Sequence, residues 1–183
     1  MNRRRSREAG MSLIELMISM IVLLVGMMGI MVMISTAITT NARNKMDTTA
    51  TALSQMVIEA VASQSVVTGT PFTVSDCRPV AAGGPQVWTV NTIGVAAPGN
   101  GAPLNGTGNI DYTVNYAAVP ANYKMQFVSC GSGGRQATYE VRWNVTNISA
   151  FSKLVTVSSR QIGATATSAT FTVPVTLRTI AGF

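Results

Sequence analysis

Apolar and polar positions divide the chain into three stretches of different character. From Leu16 to Ala42 no charged residue occurs, and Met, Ile, Leu and Val fill most positions. A helix of that length reaches about 40 Å, whereas a bilayer core needs only about 20 such residues. Beyond Ala42 the pattern turns amphipathic. Met46, Ala50, Leu53, Val57 and Ala60 recur at spacings of three and four, with Arg43, Lys45, Asp47 and Glu59 mostly off that stripe. No Pro or Gly intervenes between Ile30 and Gln64, so the pattern predicts one helix from about Ser12 to Ser63, stopped by Gly69 and Pro71.

After Pro71 the period changes to that of strands and turns. Gln86 to Ile93, Ile110 to Tyr116 and Lys124 to Cys130 read as strands. Alternation is clearest in Tyr139 to Val145, Leu154 to Val157 and Thr170 to Leu177. Pro174 marks the last of these as an edge strand or a bulge. Gly83-Gly84-Pro85 closes a turn, Gly131 to Gly134 forms another, and Ala96 to Asn109 reads as a long mobile loop. The predicted class is α+β: a long N-terminal helix whose second half packs on an antiparallel sheet.

Charge changes the picture mainly at the N-terminus. Arg3, Arg4, Arg5 and Arg7 precede the apolar run and favour a cytoplasmic N-terminus. A secretory signal would place its small-residue cleavage site after the apolar region; here Ala9-Gly10 lies before it. One acid, Glu15, sits just inside the apolar stretch. Ser12-x-x-Glu15 fits a capping box, and an acid in the first turn suits the helix dipole. An ionisable residue within a spanning segment, costly at about 2.5–3.5 kcal/mol at mid-membrane, also reads as functional.

Gly10-Met11-Ser12-Leu13-Ile14-Glu15-Leu16 resembles the processing motif of type IV pilins and type II secretion pseudopilins. In that family a short basic leader ends in Gly, and a Thr/Ser-Leu-Ile-Glu sequence opens a long apolar helix; Met11 stands here for the usual Phe. The resemblance implies a type IV pilin fold with a leader over residues 1–10, a helix over 11–64 and a β-rich domain over 65–183. Within the helix, about 11–40 would be transmembrane and 41–64 amphipathic. It also implies cleavage after Gly10 by a prepilin peptidase, N-methylation of Met11, and pairing of Glu15 with the amino terminus of a neighbouring subunit. Other pilin subunits, the inner-membrane assembly machinery and membrane lipid are the implied partners. The run Ile21 to Gly29, and more weakly Tyr139 to Val145, is similar to PilV-type minor pilins. The implied function is a minor pilin held in the inner membrane and assembled into a pilus; a pseudopilin of a type II secretion system, which shares the leader, the Glu and the helix, is the alternative.

Gly26 and Gly29 would either let the helix stretch during packing or let helices approach closely. The methionines of the span are most simply apolar filler. Loss of the leader leaves nine basic against six acidic residues, so the formal charge of +6 reports topology more than nucleic-acid binding. Cys77 and Cys130 lie beyond the span, in the periplasm on the positive-inside reading, where disulfides persist. They allow one intramolecular pairing, worth roughly 4 kcal/mol in the chain-entropy model; two separate buried thiols are the alternative.

The sequence holds no histidine. Asp76, Asp111 and Glu140 form no paired motif, and no phosphate-binding glycine loop joins a strand to a helix. Asn105-Gly-Thr, Asn144-Val-Thr and Asn147-Ile-Ser match the glycosylation sequon as expected of a Ser/Thr/Asn-rich chain. No enzymatic activity, cofactor or metal is expected. A patch of Arg135, Arg142, Lys153 and Arg160 with Tyr139 and Trp143 is a candidate for a pilus-tip module that binds DNA or a surface; the other reading is a solvated face.

Overall fold

Fifty consecutive residues without proline form a single helix. In the computed structural model of the chain, which describes residues 12–131, 136–163 and 173–182, α1 runs from Leu13 to Ala62. Among the described residues seven strands follow: β1 (Phe72–Ser75), β2 (Val87–Val90), β3 (Asn100–Gly101), β4 (Lys124–Cys130), β5 (Gln136–Ser149), β6 (Ser152–Ile162) and β7 (Val175–Gly182). The chain divides between Asn44 and Lys45 into two compact units. One long N-terminal helix with antiparallel sheets makes this an α+β, type IV pilin-like architecture.

In the second unit β5 is the hub. It pairs antiparallel with β4, with β6 and with the short β3, and β6 pairs in turn with β7. Its period of two sends Tyr139, Val141, Trp143 and Val145 to one face, where they meet Ala50, Leu53, Val57 and Val61 of α1, Met125 of β4, and Val155 and Val157 of β6. Ser54 donates to the Ser159 hydroxyl (2.9 Å), which donates to the Ala50 carbonyl (2.6 Å), so helix and sheet are also stitched polar to polar. The β1–β2 hairpin adds Phe72, Val74 and Trp88 to this core.

The opposite face of the sheet is covered as well. Ala102, Ile110 and Val119, with Leu104 and Tyr112, form a second apolar cluster in the segment between β2 and β4. That segment is tied down rather than loose. Asn100 and Gly101 pair with Val145 and Asn144, the Asn144 amide donates to the Ala102 carbonyl (3.0 Å), and Ala102 is fully buried. The mobile loop expected over Ala96 to Asn109 is thus a covering layer.

The strand expected at Ile110 to Tyr116 does not form. Asp111 accepts from the Thr113 N–H (2.8 Å) and hydroxyl (2.6 Å), and Asn115 accepts from the Ala117 N–H (3.0 Å), opening a 3-10 turn over Tyr116–Ala118. Such local side-chain bonds compete with a ladder. The strand expected over Gln86 to Ile93 is confined to Val87–Val90. Of the strand expected over Thr170 to Leu177, residues 170–172 lie outside the described residues; β7 begins directly after Pro174, which lacks the N–H a ladder needs.

Candidate assembly surface

Among its described residues the first unit is helical. From Leu13 to Ile38 the large apolar side chains are exposed, and the most apolar eighteen-residue window has a mean hydropathy of 2.7. By length and composition the helix can cross a membrane. Its hydroxyls are neutralised locally: Ser19 donates to the Glu15 carbonyl (2.7 Å) and Thr36 to the Val32 carbonyl (2.8 Å). Each such bond removes a polar hydrogen that lipid or an apolar bundle would otherwise leave without a partner.

Steps of three and four place Glu15, Ser19, Val22, Gly26, Gly29, Met33, Ala37, Thr40 and Asn44 on one face. A shallow groove lined in part by Met33, Ala37, Thr40 and Asn44 lies on that face. Met17, Met20, Leu24, Met27, Met31, Ile34 and Ile38 form the opposite one. A Cβ placed on Gly26 or Gly29 would meet nothing within 4 Å. Helix and side-chain geometry within the single chain therefore do not require glycine at either position.

Glu15 is exposed in the first turn, and its N–H donates to the Ser12 carbonyl (3.0 Å). Gly10 and Met11 lie outside the described residues.

The second unit corrects the expected basic patch. Trp143 and Lys153 are fully buried, Arg142 is 1% exposed and Tyr139 3%, while Arg135 lies outside the described residues. Alternation of basic with apolar residues suggested one wet face, but both faces of the sheet are covered. Lys153 lies on the helix side, where its ammonium donates to the Gln64 carbonyl (2.7 Å) just past the end of α1. A cation suits that negative end of the helix, although burial pulls the Lys153 ammonium below its ordinary pKa.

Arg142 and Arg160, on the other face, share one acid that sequence spacing had left unpaired. Glu140 sits between them: one oxygen takes the Arg142 guanidinium, and the other takes Arg160 at 2.8 Å. Arg142 also donates to the carbonyls of Asp111 (3.2 Å) and Val114 (2.8 Å). The Tyr112 ring lies 4.8 Å from the Arg142 guanidinium carbon and 4.3 Å from that of Arg160, and its hydroxyl donates to the Ser158 carbonyl (2.9 Å). Burial raises the Tyr112 phenol to about 12. This arrangement fastens the covering segment to the sheet. One signal in the sequence could have found part of it: Glu140 and Arg142, two apart on a strand, share a face; that Arg160 stands opposite Glu140 is set by the β5–β6 register, which the structure supplies.

Asp76 is likewise absorbed. Burial pushes its carboxyl up, but the N–H groups of Gln86 (2.7 Å) and Arg78 (3.1 Å) and the Arg78 charge outweigh this and leave it below the ordinary range. A disulfide joins the adjacent Cys77 to Cys130 at the end of β4, with Cα atoms 5.9 Å apart. Among the described residues no cluster of His, Cys, Asp or Glu is able to hold a metal.

Residues 5–31 match the family model described as the prokaryotic N-terminal methylation motif. The N-terminus is of the prepilin type. That finding supports a type IV pilin-like family and indicates a pilin- or pseudopilin-type substrate of a prepilin peptidase, assembled with other pilins. It points to a structural subunit, and with the apolar helix it fits membrane anchoring before assembly. Neither a curated protein nor a solved structure matches the chain.

Proposed function

We propose that this chain is a minor pilin of a type IV pilus. It is cut after Gly10, N-methylated at Met11, held in the inner membrane with its N-terminus cytoplasmic, and then extracted into a fibre. The observation that carries the reading is the prepilin-type motif over residues 5–31, which runs into a helix whose large apolar side chains from Leu13 to Ile38 are exposed among the described residues. Packing that surface against other subunits' helices keeps apolar area out of water, worth about 25 cal/mol per Å².

Glu15 sets the register. Inside a bundle an unpaired carboxylate costs several kcal/mol, so the helix stops sliding where Glu15 meets the amino terminus of a neighbour. The Ile21 to Gly29 run supports a minor role in particular. The folded domain from residue 65 onward faces outward, with Cys77–Cys130 closing its sheet in the oxidising compartment.

The test is N-terminal mass measurement on native protein from sheared pilus fractions. The expected species begins at methylated Met11 and is scarce relative to a major subunit. Recovery of the uncut chain in membranes alone would sink the reading, and recovery only with a secretion apparatus would assign it to a type II pseudopilus. Glu15→Ala should be processed normally yet enter fibres at least tenfold less well; equal incorporation would remove Glu15 from the account.

A further inference from the structure

We infer that Asn105 is a self-modifying site, an asparagine whose side-chain amide is converted to a carboxylate within the folded protein. The Asn105-Gly106-Thr107 turn is exposed, and Gly106 offers no side chain to shield its nitrogen, with open space where a Cβ would stand. The Gly106 N–H takes no acceptor among the described residues.

The amide oxygen of Asn105 accepts three hydrogen bonds: from the Thr107 hydroxyl (2.7 Å), the Thr107 N–H (3.1 Å) and the Asn109 N–H (2.9 Å). Donors converging on one carbonyl oxygen stabilise the negative charge that grows there when a nucleophile attacks its carbon. The nucleophile is the Gly106 backbone nitrogen. Its bond to Asn105 Cγ forms, the Cγ–Nδ2 bond breaks, and ammonia leaves with the proton lost from the Gly106 nitrogen. Solvent water then opens the five-membered imide at Cγ to give aspartate, or at the main-chain carbonyl to give isoaspartate.

The product also fits. A carboxylate at Asn105 keeps the same three donors, now charge-assisted. Close by in the turn is Arg178 of β7, whose guanidinium donates to the Thr107 carbonyl (3.1 Å) and Asn109 Oδ1 (3.0 Å). Gly108, at φ 74°, lets that guanidinium approach: a Cβ there would lie 2.8 Å from it. Conversion thus puts a negative charge beside the cation that ties the covering segment to the edge strand.

Asn100-Gly101 supplies an internal control. It has the same dipeptide, but Asn100 donates to the Tyr123 hydroxyl (2.7 Å), both residues pair with β5, and a Cβ on Gly101 would lie 2.4 Å from the Trp143 carbonyl oxygen.

The experiment incubates the full chain, folded in detergent, in mildly alkaline buffer and follows each asparagine by peptide mass mapping. Asn105 should gain one mass unit over days while Asn100 stays intact, and Thr107→Val should slow the conversion severalfold at an unchanged melting temperature. Asn105→Asp should melt a few degrees higher than the starting protein, and Arg178→Gln should remove that rise. Persistence of Asn105 while a short peptide of the same sequence converts would overturn the proposal. So would equal conversion of Asn100, an unslowed Thr107→Val, or a glycan-sized mass at Asn105.

Discussion

Glu140 shows how much a single side chain decides in this protein. It is 3% exposed and is the acid that neutralises Arg142, itself 1% exposed. Breaking a buried ion pair by neutralising one partner strands the other charge and costs about 3–5 kcal/mol. Arg160, with a third of its side chain still exposed, keeps contact with water and loses far less. Glu140→Gln should therefore lower the stability of the folded domain by roughly 3 kcal/mol or more, measured by chemical denaturation of the full chain in detergent. Arg160→Gln should cost under about 1 kcal/mol. Equal losses for the two variants would mean that Arg142 finds its compensation in the carbonyls of Asp111 and Val114 instead. The same residue explains why Arg142, expected on a basic surface, is neutralised beneath a covering segment instead. Alternation along β5 was legible, but that a second layer covers the polar-looking face was not, because Tyr112 and Tyr116 reach it from a segment that reads in sequence as a strand of its own.

Helix α1 is the element whose sequence and structure agree most closely, with predicted limits of about Ser12 and Ser63 against Leu13–Ala62. A long apolar run passing into an amphipathic stripe leaves few alternatives. Strands β4, β5 and β6 were legible for a related reason, since apolar and polar residues alternate along them in sequence, even though β5 and β6 are buried on both faces at their centres. Segments governed by side-chain-to-backbone bonds were not. Asp111 and Asn115 divert Ile110 to Tyr116 from an extended form that its β-branched and aromatic residues favour. The prepilin motif was legible in order and spacing, while the structure begins its description one residue past Met11. Within α1, Gly26 and Gly29 each lower helix propensity by about 1 kcal/mol relative to Ala, and neither is required by a contact in the chain. Replacing both by Ala should leave helix content by circular dichroism equal or higher, and fibre incorporation should fall if neighbouring helices approach across this face. Undiminished incorporation would assign the glycines no role in packing, and a loss of helix content would contradict the open space seen around them.

At the scale of the whole folded domain, pH dependence follows from groups that share one cause. Burial raises the phenols of Tyr112, Tyr116, Tyr123 and Tyr139 above their ordinary value, Tyr112 to about 12. A folded-state value above the unfolded one means that the folded protein holds its proton longer. The corresponding stability is fully present below the unfolded value of 10.0 and is lost as pH rises through about 12. Lys153 runs the other way. Its lowered value means that the unfolded chain binds the proton more tightly, so this contribution grows as pH rises toward its ordinary 10.5. Four phenols outweigh one ammonium. Stability should therefore hold or rise slightly up to about pH 10, as Lys153 gives up its proton, and then fall steeply, with Tyr112 alone worth roughly 3 kcal/mol across the window. Denaturation midpoints measured through that range on the full chain and on Tyr112→Phe provide the check. The variant loses the Ser158 bond but also the titrating group, so its curve should start lower and descend less steeply above pH 10. Parallel curves would show that Tyr112 ionises as readily in the folded domain as in the unfolded chain, and that the covering segment opens before the sheet does.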